Sequence, residues 1–113
     1  MDEARARELV AAERARIERQ LRELGPLPHD ELADSDQHLG DEATELYEDE
    51  YEASLAERLR NDLEAVERAE ARLAEGTYGL SVESGQPIPD ERLELVPTAE
   101  RTAEEQARFE RGR

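Results

Sequence analysis

The chain has 113 residues, 36% apolar and 41% charged, with a formal net charge of −16, no Cys, no Trp and a single Phe. That length suits one domain, or a helical hairpin with a small appended module, and excludes two large domains; any core must be thin and built of Leu, Val, Ile and Ala. The charge argues against wrapping a nucleic-acid backbone, because such a binder must supply cations to displace phosphate counterions, and it favours a basic protein surface as partner; the lack of cysteine excludes disulfides, thiolate metal sites and a Cys nucleophile.

From Asp2 to about Leu24 the sequence is dense in Ala, Arg, Glu and Leu, and Leu9, Val10, Ile17, Leu21 and Leu24 recur at helical spacings, so one apolar stripe is expected. All fifteen basic residues are Arg, which pairs with Glu at i,i+4 along such a helix, each exposed pair contributing only about 0.3–0.5 kcal/mol. Gly25-Pro26 ends the helix. Residues 25–41 hold Pro26, Pro28, Asp30, Asp34, Asp36 and Gly40 and read as an acidic loop with room for a helical fragment at Asp30 to Ala33. A second helix is expected from near Asp41, a candidate N-cap, to about Glu75, closed by Gly76. Its stripe is Leu46, Leu55, Leu59, Leu63, Val66, Ala69 and Leu73. Two helices with narrow stripes bury them most cheaply as an antiparallel hairpin. Past Gly76 the glycines and prolines leave Tyr78, Leu80, Val82, Ile88, Leu93, Leu95 and Val96 as apolar anchors, before a last helix from Ala99 to about Arg111. The start, MDEARARELV, lacks the apolar stretch of a signal peptide, and no run reaches membrane-spanning length, so a cytoplasmic location is expected.

The stretch GTYGLSVESGQPIPDERLELVPTAERTAEEQ, from Gly76 to Gln106, carries a specific framework. Tyr78, Gly79, Gly85, Ile88, Pro89, Arg92, Leu93, Pro97 and Thr98 match a Tyr-Gly-x-Cys-x-x-Cys-Gly knuckle followed by Ile-Pro, Arg-Leu and Pro-Thr pairs and a second Cys-x-x-Cys. This pattern resembles the DksA/TraR family of RNA polymerase regulators, with Ser81, Ser84, Thr102 and Glu105 standing at the four thiolate positions. Hydroxyls are poor zinc ligands and only Glu105 offers a charged oxygen, so a tetrahedral structural zinc site is not expected, and no cofactor is. Deprived of an ion that contributes on the order of 10 kcal/mol to a typical knuckle, the segment Gly76 to Pro97 is expected to be the least stable part of the chain unless it packs on the hairpin base.

The resemblance also implies a role for the loop-to-helix junction. Family members carry Asp-x-x-Asp-x-Ala at the hairpin tip, which enters the secondary channel of RNA polymerase. Here Asp41 and Ala43 match the second Asp and the Ala, His38 replaces the first Asp, and Asp36 lies two residues earlier. The string through Thr44 and Glu45 is similar to a form found in a sporulation-associated branch of the family. The plainer reading of the acidic residues is loop and N-cap chemistry. A metal bound by Asp36, His38 and Asp41 is possible by residue type, but one His in an acidic loop is more often solvated.

Together these features give a mostly α fold: a helical hairpin over 1–75 with its tip loop near 25–41, and over 76–113 a degenerate zinc-knuckle module with a C-terminal helix. No phosphate loop, nucleophile elbow or set-aside carboxylate pair is visible, so no enzymatic activity is expected. The resemblance implies a transcription regulator acting on RNA polymerase, with the tip (Asp36, His38, Asp41, Ala43, Thr44, Glu45) as partner contact and Arg92 structural or facing the channel rim. The alternative is an acidic helical adaptor that binds another protein or itself. Neither reading includes sequence-specific nucleic-acid or membrane binding, and a monomer is expected.

Overall fold

The computed structural model describes residues 1–25 and 42–112, the side chains of 42–49 excepted. Within them lie helices α1 (Glu3–Leu24), α2 (Glu42–Glu75), α3 (Asp90–Leu95) and α4 (Ala103–Arg111). No strand occurs among the described residues; one isolated antiparallel bridge joins Leu80 and Pro87. The chain divides into two compact units, one of Met1–Arg14 with Ala65–Arg113 and the other of Ala15–Glu64. No described helix is long and apolar enough to cross a membrane.

In the first unit the start of α1 lies against the end of α2. Arg14 meets Glu70 and Glu67, Val10 shares a groove with Glu70 and Leu73, and Ala6 lines another with Leu73 and Gly76. As the residue number rises along α1 it falls along α2, so the pair is antiparallel. Ala6, Val10, Val66 and Ala69 form its dry seam, and a fully buried Val contributes about 1.5–3 kcal/mol. Across that seam Arg14 donates from Nε and Nη2 to the two Glu70 carboxylate oxygens, both at 2.8 Å. In the second unit the buried apolar residues are Ile17, Ala56 and Leu59, while Tyr51 is exposed.

The expected stripes hold at Val10, Ile17, Leu59, Val66 and Ala69, all buried, with Leu9, Leu21, Leu24, Leu55, Leu63 and Leu73 half-buried. Leu46 lies outside the described side chains. Ala6 and Ala56 are buried as well, although their single methyl groups leave too weak a hydropathy signal to be picked out.

The C-terminal segment departs from expectation in three ways. First, Asp90–Leu95 is helical, on the strength of one buried anchor, Leu93, and of acidic Asp90 and Glu91 in its first turn. Six residues are too few to display a period, so tertiary packing decides this element. Second, the last helix starts at Ala103 rather than Ala99. Ala99 belongs to a core cluster with Ile88 and Leu93, half-covered by Tyr78, so the chain must stay irregular until it clears that cluster. Third, Leu80, Val82, Leu95 and Val96 are exposed, Leu95 by 85%, and do not act as anchors.

Candidate functional site

The site is built from the end of α2 outward. Gly76, at φ +81°, terminates the helix in a Schellman arrangement: its own N–H donates to the Leu73 carbonyl at 3.3 Å, and the Thr77 N–H donates to the Arg72 carbonyl at 2.9 Å. The chain then makes a tight excursion. Ile88 N donates to the Gly79 carbonyl at 2.8 Å, Ser81 N to that of Gln86 at 2.8 Å and Gly85 N to that of Ser81 at 3.0 Å. Gly79 has φ +87°, and a Cβ there would lie 3.6 Å from Leu93 Cδ1, so its requirement is for left-handed backbone rather than for space. The Tyr78 hydroxyl donates to the Pro97 carbonyl at 2.7 Å, and burial raises its pKa.

This excursion presents Ser81 and Ser84 to the start of α4. Ser81 is 5% exposed and Glu105 6% exposed. The Ser81 oxygen accepts from the N–H groups of Glu83 (3.0 Å) and Ser84 (3.2 Å). Glu105 and Thr102 form a capping box: Thr102 N donates to Glu105 Oε1 at 2.9 Å, and Glu105 N to Thr102 Oγ1 at 3.2 Å. The neighbouring Ser81 and Ser84 hydroxyls, with the N–H of Thr102, hold the pKa of the Glu105 carboxyl down to about 2. Of the four residues predicted at the zinc positions, Thr102 and Glu105 bond each other, and Ser81 bonds the backbone of Ser84.

Zinc does not fit them. Three of the four donors are neutral hydroxyls, and the Ser81, Ser84 and Thr102 oxygens all accept backbone N–H groups. The oxygens are taken up by backbone N–H groups instead. Among the described residues no other group of His, Cys, Asp and Glu is arranged to hold a metal.

Further bonds tie the two halves of the knuckle. Val82 N donates to the Glu100 carbonyl at 2.8 Å. Arg101 Nε donates to Glu83 at 2.6 Å, and its guanidinium lies 3.8 Å from the Phe109 ring centre. Arg92 Nε donates to the Arg101 carbonyl at 2.9 Å, which gives that side chain a bracing contact. Arg72 and Arg68 both reach Glu100. Arg5 grips Glu94 through Nε (2.8 Å) and Nη2 (2.6 Å), an arrangement that raises the guanidinium pKa and lowers that of the carboxyl.

Of the predicted tip, Asp36, His38 and Asp41 lie outside the described residues, and with them the metal set that the sequence reading disfavoured. Ala43, Thr44 and Glu45 lie near the start of α2, with side chains outside the described set. The capping box that joins Thr102 and Glu105 is a feature that the zinc-position reading passes over. The signal that announces it, Thr-x-x-Glu at 102–105, is a helix-start signature masked by its coincidence with a Cys-x-x-Cys frame.

The model of the prokaryotic dksA/traR C4-type zinc finger matches residues 76–111. The chain is 46% identical over 74 residues to the uncharacterized protein YteA of Bacillus subtilis, covering 66% of this chain and 31% of that protein. It is 36% identical over 83 residues to the RNA polymerase-binding transcription factor DksA of Caulobacter vibrioides, covering 74% and 54% respectively. The chain therefore spans about a third to a half of the length of these curated relatives. Among solved structures it resembles the transcription factor DksA2 of Pseudomonas aeruginosa, with a TM-score of 0.79 and 29% identity over 96% of this chain and 83% of that one. A chain with this helical framework and this knuckle, with Ser81, Ser84, Thr102 and Glu105 at the ion's ligand positions, belongs to the DksA/TraR family.

Proposed function

We propose that this protein is a non-enzymatic transcription regulator that binds RNA polymerase. The observation that supports it most is the 36% identity over 83 residues to an RNA polymerase-binding transcription factor, in a chain that keeps the family's framework while changing its centre. In this reading the residues around the tip (Asp36, His38, Asp41, Ala43, Thr44 and Glu45) enter the secondary channel, and the knuckle end, braced through Arg92, stays at the rim. An acidic tip suits a deep channel lined by basic groups, where charge complementarity steers the encounter. The reading places the protein in the cytoplasm, with polymerase rather than DNA as its direct contact.

The test is co-purification with cognate RNA polymerase at low salt, followed by transcription assays with the intact chain and with Asp41→Ala. Retention on polymerase, with a change in initiation that Asp41→Ala abolishes, is the expected result. Absence of any association under those conditions would favour the acidic adaptor instead, a role that Asp41→Ala should leave almost untouched.

A further inference from the structure

We propose that Glu100 and Arg101 form an ionic clasp that closes the knuckle: they hold the turn around Ser81 against the approach to α4, and the clasp opens as one unit without melting the helices around it. The observation that carries this is where the cross-links fall. Val82 N donates to the Glu100 carbonyl at 2.8 Å, and Arg101 Nε donates to Glu83 Oε2 at 2.6 Å. Val82 and Glu83 are the two residues between the first pair of predicted ligand positions, Ser81 and Ser84, while Glu100 and Arg101 directly precede the second pair, which begins at Thr102. The two turns that an ion would join are thus joined, beside the ligand positions, by one backbone bond and one ion pair.

A lone surface ion pair would not bear this role, since water and salt screen it and forming it costs side-chain freedom. Arg101 differs on both counts. Its side chain is only 19% exposed, and its guanidinium lies 3.8 Å from the Phe109 ring centre in α4, so packing sets its position before Glu83 is reached. The backbone beneath it is fixed as well. Arg92 of α3 donates from Nε to the Arg101 carbonyl at 2.9 Å, and the Glu100 carboxylate accepts from Arg68 (3.1 and 3.2 Å) and Arg72 (3.0 Å) of α2. Three helices therefore hold the pair 100–101 in place, and the Ser81 turn is fastened to that pair through Val82 and Glu83. The Glu83 carboxylate is half-exposed, so water or a competing ion reaches the clasp from that side, and opening it frees the turn while α2, α3 and α4 keep their own contacts.

The inference concerns the closure of the knuckle and is independent of polymerase binding, so the two can fail separately. In the intact chain the reporter is the Val82 amide, whose protection against hydrogen exchange is compared with that of amides inside α2 and α4. Glu83→Ala removes an accessible carboxylate and leaves Arg101 on its ring; it should lower Val82 protection on the order of tenfold and leave the helical amides unchanged. Arg101→Met should lower it by a similar factor. The double variant should lose no more than the worse single one, because both side chains serve one bond. Unchanged Val82 protection in Glu83→Ala, an equal fall throughout α4, or effects that multiply in the double variant would overturn the proposal.

Discussion

Glu105 shows how neighbouring groups hold a single acidic side chain in its ionised form. Its carboxyl is held to about 2, below the range of an unfolded glutamate, so folding favours the ionised form. The stabilisation is complete above the unfolded value of about 4.3 and drains away as pH falls from there through about 2. The protection factors of the Glu83 and Ser84 amides, corrected for the intrinsic slowing of exchange in acid and followed from neutral pH down to about pH 3, should therefore fall in the unaltered chain and change little in Glu105→Gln. Glu70 and Glu94 are also lowered, by hydrogen bonds from Arg14 and Arg5, but they sit away from the knuckle centre and should leave those two amides alone. A flat response in both proteins would show that Glu105 is an incidental cap.

The end of α2 and the loop before α4 are coupled through Arg72. Its Nη1 donates to Glu100 at 3.0 Å, while Nε and Nη2 are shut off from solvent without a hydrogen-bond partner. Orphaned buried donors already count against this side chain, so replacing it by an apolar group of similar reach relieves a penalty while losing one bond. Arg72→Met is accordingly expected to be close to neutral. Glu100→Ala should be worse, by about 1–3 kcal/mol, because it leaves the Arg72 charge buried and removes the partner of Arg68 as well. Chemical denaturation of both variants checks the order. If Arg72→Met proved the more damaging, the arginine would be contributing through contacts other than its paired nitrogen.

For the molecule as a whole the dominant property is its charge of −16, carried on a framework whose dry seams are narrow. Such a charge acts over distance more than at contact, and its reach shortens from about 30 Å at 0.01 M salt to about 8 Å at 0.15 M. If RNA polymerase is the partner, the association rate should fall several-fold over that range while the dissociation rate changes less. Surface-binding kinetics at a series of salt concentrations would measure both. An association rate indifferent to salt would remove electrostatic steering from the account.

Much of this organisation could be read from residue order, for identifiable reasons. Long helices repeat their signal, so α1 and α2 show in the recurrence of Val10, Ile17, Leu59, Val66 and Ala69, and Gly25 and Gly76 mark their ends through a backbone conformation that glycine adopts easily. The family framework was visible at Tyr78, Gly79, Ile88 and Pro89, since turns depend on particular residue types at fixed spacing. Composition alone ruled out thiolate chemistry. What required folding to settle was local and short: α3 exists because Leu93 finds Ile88 and Ala99, α4 waits until Ala99 has been buried, and Leu95 lies in solvent despite its hydropathy. The centre of the knuckle is the clearest instance. In the linear chain Ser81, Ser84, Thr102 and Glu105 are ligands that have been lost, because nothing in their spacing tells a hydroxyl where its proton will go. In the folded chain Ser81 and Ser84 oxygens accept backbone N–H groups of their own turn while Thr102 and Glu105 cap α4, so the same four positions serve as local hydrogen-bonding groups.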